Sequence, residues 1–158
     1  MCSQTTIGLG PHAMWGCTPA IDLLQDAPTK REVNILVCDT GDIGHALRTI
    51  CTRRRHPHQI VHLYMWERQP EVLARHILLL HVALDCELPL RQRATVFLEI
   101  FGNTLVQDRT SRYTVRLGKE LMSNLFSMER MTDIADLSLL KSRERDQLAE
   151  IFKYWSSS

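Results

Sequence analysis

Glu32-Val33-Asn34-Ile35-Leu36-Val37-Cys38-Asp39-Thr40-Gly41-Asp42-Ile43-Gly44-His45 runs on through Ala46-Leu47-Arg48-Thr49-Ile50. After a basic, histidine-bearing turn comes Ile60-Val61-His62-Leu63-Tyr64-Met65-Trp66-Glu67. An apolar, β-branched run stops at Asp-x-Gly, a helical pattern follows, and a second apolar run closes on an acidic residue. Short apolar runs bounded by turn residues read as strands, and the 3.6-residue spacing between them reads as a helix. The order is strand–turn–helix–strand, with Val33–Cys38 and Ile60–Trp66 as neighbouring parallel strands. This is the opening half of a Rossmann-like, methyltransferase-like three-layer α/β fold.

Such a unit has a definite chemistry. A glycine at the strand-to-helix turn permits positive φ and lets a ligand approach the backbone. The helix behind it presents unpaired N–H groups and the positive end of its dipole. An acidic residue closing the second strand is placed to accept hydrogen bonds from a ribose. Asp39, Gly41, Gly44 and Glu67 therefore form a candidate nucleotide or S-adenosylmethionine site. Against this, Gly-x-x-Gly matches neither the dinucleotide fingerprint nor the P-loop, and Ile43 stands where a methyltransferase loop carries its second glycine. Asp42 also falls where a helix N-cap belongs, a role worth about 1 kcal/mol with no ligand present.

The chain has 158 residues and a formal charge of +1, with ordinary apolar and charged fractions. That is one domain's worth of sequence with no general argument for nucleic acid or membrane as partner. No apolar run reaches the roughly 18–20 residues that span a bilayer. The N-terminus lacks the basic-then-apolar layout of a signal peptide, so the expected location is the cytoplasm. Five scattered cysteines (Cys2, Cys17, Cys38, Cys51, Cys86) contain no Cys-x-x-Cys pair. They read as reduced thiols, not as a zinc site or disulfide framework. His56, His58 and His62 invite a metal reading, but no acidic or thiol partner lies near them in sequence, and a solvated basic turn is the better account.

Residues 1–30 read as a tether in which Trp15, Ile21, Leu23 and Leu24 need burial against the domain. Thr18 is placed to cap a short turn with Pro19 at its first position. Residues 31–155 form the partial Rossmann-like domain, and 156–158 are a serine tail. Its first helix, Asp42 to about Arg54, should bury Ile43, Ala46, Leu47 and Ile50. Arg53-Arg54-Arg55 at its end is favoured by the helix dipole, or forms a patch for phosphate or an acidic partner. Pro70 opens a helix with Val72, Leu73, Ile77, Leu80 and Leu84 in one stripe, widened by Leu78, Leu79, Val82 and Ala83. Leu90 to about Val106 aligns Leu90, Ala94, Phe97, Leu98, Phe101 and Leu105. Ser111–Met128 aligns Tyr113, Leu117, Leu121 and Leu125. The last helix, capped by Ser142, aligns Leu148, Ile151, Phe152 and Trp155. Two parallel strands with so many helices make an unfinished α/β domain, and a truncated product of a longer protein is expected.

Several of these stretches also resemble one family. Met14-Trp15-Gly16-Cys17-Thr18-Pro19-Ala20-Ile21-Asp22-Leu23 is similar to the Trp-Trp-Gly-x-Ser-Pro-Ala-x-Asp-Leu opening of dynein axonemal assembly factor 3. Val33 to Ile50, with His45 and Leu47 matching a His-x-Leu, looks like its first strand and turn. Glu67 to Leu84, containing Leu73-Ala74-Arg75-His76, resembles its second-strand end and long helix. Phe97 to Leu105, and Lys141 to Asp146 through Phe152-Lys153-Tyr154-Trp155, match as well. Met14 replaces the first tryptophan, and Gly44 stands where a basic residue is expected. The resemblance implies a cytoplasmic, non-catalytic factor without cofactor that helps preassemble axonemal dynein arms for motile cilia. Its implied partners are axonemal dynein chains and cytoplasmic chaperone machinery, with no nucleic acid or membrane. The alternative is an S-adenosylmethionine-dependent methyltransferase that holds its cofactor on Asp39, Gly41, Gly44 and Glu67, although no catalytic base stands out downstream.

Overall fold

A computed structural model describes residues 18–27, 30–103, 105–126 and 134–157. The chain divides into two compact units, Met1–Val72 and Leu73–Ser158. In the first, strand β1 (Glu32–Cys38) leads to helix α1 (Gly44–Thr52), a 3-10 turn (Arg53–Arg55) and strand β2 (Ile60–Trp66). The strands are parallel and adjacent, in a register running from Glu32 opposite Ile60 to Cys38 opposite Trp66. The expected strand–turn–helix–strand order and its parallel pairing are therefore present, as an α/β arrangement with a helix-rich remainder.

Helix α1 is shorter than its pattern suggests and uses a different face. Ile43, not Asp42, takes the N-cap position, with bridge-region angles. The helix closes at Thr52, where the chain tightens into the arginine turn. Ile43 and Ala46 are buried as expected, but Ile50 is exposed and Thr49 and Thr52 are buried in its place. Both threonines make this tolerable by donating to carbonyls one turn back, Thr49 to His45 at 2.8 Å and Thr52 to Arg48 at 2.9 Å. The Thr49 hydroxyl also accepts the Leu23 N–H at 3.0 Å, which fixes the preceding segment on α1. Leu24 is buried there, while Ile21 stays exposed, against expectation. Trp15 lies outside the described residues.

The second unit is helical. Most of α2 (Pro70–Leu84) belongs to it, with α3 (Leu90–Gly102), α4 (Asp108–Phe126) and α5 (Ser142–Ser156). Ala74, Ile77, Leu78 and Val82 of α2 meet Val96 of α3, Leu117, Leu121 and Leu125 of α4, and Leu148, Ala149 and Phe152 of α5 in one core. Helix α2 is buried along nearly its whole length after Glu71, which the widened stripe anticipates. Its Leu84 ends exposed. Helices α4 and α5 approach so closely that a Cβ on Gly118 would lie 2.6 Å from Ser156 Oγ and 3.3 Å from the Phe152 carbonyl. A helix-interior glycine is unfavourable by about 1 kcal/mol relative to alanine; here it lets two backbones meet.

Helix α3 departs furthest from its pattern. It ends at Gly102, and the leucines of its apparent stripe face out while Phe97 and Phe101 are half-buried: Leu90 is 72% exposed, Leu98 62% and, beyond the helix, Leu105 87%. The buried positions are Val96 and Glu99, with Phe97 and Ile100 packed at the edge of the core. Glu99 belongs inside because its carboxylate accepts the Gln107 N–H at 3.1 Å, just before α4 begins. The Thr110 hydroxyl and that N–H hold its carboxyl below the ordinary value. Helix α4 begins three residues earlier than the apolar pattern indicates, and the expected end at Met128 lies outside the described residues. Ser142 is the first residue of α5 and not its cap. Lys141 is extended and caps instead, its N–H bonded at 2.7 Å to the Glu144 carboxylate.

Candidate functional site

The turn between β1 and α1 brings the four sequence-selected residues to one end of the strands. Asp39 takes a left-handed conformation (φ 50°) and its N–H donates to the Trp66 carbonyl at 2.8 Å, extending the strand pairing by one rung. Aspartate tolerates this region better than most residues. Gly41 has φ 73°, where a side chain is strained. Between them, the Thr40 N–H donates to Glu67 Oε1 at 3.1 Å. The Thr40 hydroxyl, with one proton to give, reaches Glu67 Oε1 at 3.1 Å and the Asp42 carbonyl at 2.9 Å. Asp42 Oδ1 accepts the Gly44 N–H at 2.7 Å, so its carboxylate serves the first helical residue even though it is not the cap. A Cβ on Gly44 would meet that oxygen at 2.8 Å.

This geometry bears directly on ligand chemistry. A ribose-binding carboxylate needs free oxygens, whereas Glu67 Oε1 is already engaged by Thr40. Burial raises the Glu67 pKa, the Thr40 bonds oppose the rise, and the nearby Asp39 charge adds to it. The first α1 amide is likewise occupied by Asp42. Asp39 turns its carboxylate to Arg68 at 3.1 Å, an exposed pair worth little in water. The sequence thus brings the right residues together, and they satisfy one another.

A second feature was not singled out from sequence. Val33 and Val37 of β1 are buried, and Val61 and Met65 opposite them on β2 are half-buried, as are Ile35 and Leu63 between them. The other sheet face is open: Leu36 is 66% exposed, Tyr64 42% and Trp66 51%. Parallel sheets are normally covered on both faces. The signal was available, since Asn34 and His62 interrupt both strands on that same face. Near the strand starts, the face carries a Glu32–His62 pair at 3.0 Å.

The basic turn has its own order. Arg53 folds back and donates to the His56 carbonyl. His56 lies 3.5 Å from the buried Asp22. A cavity of about 540 Å³ opens at the start of the strands, lined by Lys30, Arg31, His58, Gln59 and Ile60. Among the described residues no three His, Cys, Asp or Glu side chains are grouped to hold a metal ion, and no helix is long and apolar enough to cross a membrane. Cys38, Cys51 and Cys86 are free and exposed thiols.

Comparison with known proteins adds a second line. The family model described as "Domain of unknown function (DUF4470)" matches residues 14–106. Dynein axonemal assembly factor 3 of Xenopus laevis is 33% identical over 93% of the chain, which covers 33% of that protein. The Danio rerio protein of the same name is 35% identical over 96% of the chain, covering 34% of its length. The Chlamydomonas reinhardtii homolog is 31% identical over 91% of the chain and is covered to 25%. The chain spans about a third or less of the length of these relatives. The resemblance drawn from the motifs thus holds across nearly the whole chain. No solved structure matches it.

Proposed function

We propose that this chain, which belongs to the DUF4470 family, acts in the assembly of axonemal dynein arms as a non-catalytic scaffold. The observation that carries the reading is its similarity, over more than nine-tenths of its length, to proteins named dynein axonemal assembly factor 3. The self-satisfied turn supports the non-catalytic part, because Glu67 and the Gly44 amide are engaged within the protein. The first unit is here a Rossmann-like beginning whose ligand end is closed and whose apolar sheet face is left for docking. Axonemal dynein chains and cytoplasmic chaperone machinery are the partners in this reading, and the cytoplasm is where it works.

Affinity purification of the chain from ciliating cells should recover axonemal dynein heavy or intermediate chains. A loss-of-function line with complete dynein arms would overturn the proposal. Calorimetric titration with S-adenosylmethionine addresses the catalytic alternative: no saturable heat is expected, and micromolar binding lost in Glu67→Ala would restore it.

A further inference from the structure

We propose that the basic end of the first unit, where β1 and β2 begin, docks an acidic polypeptide segment. The depression there has a volume of about 540 Å³ and opens broadly to solvent. Its floor is fixed. Gln59 is buried, donating from its amide to the Lys30 carbonyl at 3.2 Å and from its N–H to the His56 carbonyl at 3.3 Å. The Ile60 N–H locks the strand starts together at 2.6 Å from the Arg31 carbonyl.

Lys30 and Arg31 line the cavity itself, and Arg54 and Arg55 stand on the 3-10 turn that precedes Gln59 in the chain. Lys30, Arg31, Arg54 and Arg55 are exposed and make no ion pair with any described residue. Of the acids in the adjoining segments, Asp22 and Glu32 pair with His56 and His62, and Asp26 is exposed on the segment that leads to Lys30. The chain as a whole carries only +1, so the positive charge here is local. The dipole of α1 accounts for arginines at its C-terminus, but it does not account for Lys30 and Arg31, which arrive from the start of another element.

The same features select the occupant. Among the described residues no aromatic side chain lines the cavity, so they offer no stacking platform for single-stranded nucleic acid. Helix α1 presents its C-terminal end here, so the backbone N–H groups that hold a bare phosphate are at the opposite end. Among the described lining residues only Ile60 is an apolar side chain, too little to seat a bilayer surface. Long, exposed cations from two segments suit a row of carboxylates, where charge complementarity sets specificity and encounter rate.

Fluorescence anisotropy with a labelled oligo-glutamate peptide tests this on the whole chain. Saturable binding that weakens with added salt is expected. The double reversals Arg54→Glu/Arg55→Glu and Lys30→Glu/Arg31→Glu should each cost about tenfold in affinity. Arg109→Glu/Arg112→Glu on α4 changes net charge equally and should stay within about twofold. Should a reversal lose its far-ultraviolet circular dichroism, Arg54→Gln/Arg55→Gln and Lys30→Gln/Arg31→Gln carry the test, with a loss of about threefold. Equal loss in the α4 variant, equal binding of oligo-glutamine, or tighter binding of a single-stranded oligonucleotide or of phosphatidylserine vesicles would overturn the proposal. It stands on this charge arrangement alone, so its failure would leave the dynein-assembly reading untouched.

Discussion

Removing the Tyr113 hydroxyl should loosen the second unit at a single identifiable point. Asp85 follows α2, and its carboxylate accepts the Glu87 N–H at 2.8 Å and the Tyr113 hydroxyl of α4 at 2.7 Å. Its carbonyl accepts from the Arg93 guanidinium of α3 at 2.9 Å. One residue therefore ties three helices. Burial alone would raise the Asp85 pKa, but the Tyr113 hydroxyl, the Glu87 and Leu88 N–H groups and the Arg116 charge outweigh it and hold it below the ordinary value. Burial and the Asp85 carboxylate push Tyr113 well above the usual phenol range, so the hydroxyl is a donor at every ordinary pH.

Tyr113→Phe keeps the ring, its packing and the Arg116 guanidinium 5.3 Å from its centre, and deletes only the bond. A hydrogen bond to a charged group contributes about 1.5–3 kcal/mol net; both partners are half-buried, so about 1–2 kcal/mol is expected. In a chain of this size 1 kcal/mol corresponds to about 2–4 °C in Tm. Urea unfolding followed by circular dichroism at pH 7 measures the loss, with an unchanged m-value as the control that only stability moved. The pH dependence supplies the second arm. A carboxylate with a depressed folded pKa contributes stability that is present above its unfolded value, near 3.9, and lost as pH falls through the folded value. The Tyr113→Phe deficit should therefore shrink on going from pH 7 to pH 3. A loss below about 0.3 kcal/mol at pH 7, or the same loss at both pH values, would refute the pairing with an ionised Asp85.

Gly118→Ala should destabilise by about 1 kcal/mol, the overpacking against Ser156 and the Phe152 carbonyl exceeding the helix-propensity gain. In a Ser156→Ala background the 2.6 Å clash is gone, and thermal melts should show the substitution close to neutral. Glu67→Gln keeps an oxygen for Thr40 and removes the charge. Because the Glu67 pKa is raised on folding, its contribution is present below the unfolded value, near 4.3, and is lost as pH rises. The variant should gain on wild type as pH rises above about 4, by less than about 1 kcal/mol given the partial exposure; a gap that widens toward low pH would contradict this.

The candidate site was legible as a set of residues and not as a state. Asp39, Gly41, Gly44 and Glu67 converge because a strand, a glycine turn and a second strand leave them no other end of the sheet to occupy. What Glu67 does there depends on Thr40, which lies 27 residues away in sequence and carries no pattern that announces it. The open sheet face was half legible: Asn34 and His62 mark it as wet, while Leu36, Tyr64 and Trp66 on the same side read locally as core.

By itself the sequence determined the elements and their order. Apolar period, turn glycines and Pro70 act over a few residues, and that range is enough to pair β1 with β2 and to begin α2 and α5 within a residue of where they lie. The core uses the α4 and α5 stripes that the pattern marks, whereas tertiary structure alone decided which way α1 and α3 face. Helix α3 carries two apolar arcs, and the core took Val96, Phe97 and Ile100 because Glu99 in that arc can reach Gln107, leaving Leu90 and Leu98 in water. Helix α1 likewise turned Thr49 inward, where its hydroxyl satisfies Leu23, and left Ile50 exposed. Periodicity fixes spacing along a helix, but the rotation of that helix about its axis is set by partners the local pattern does not contain.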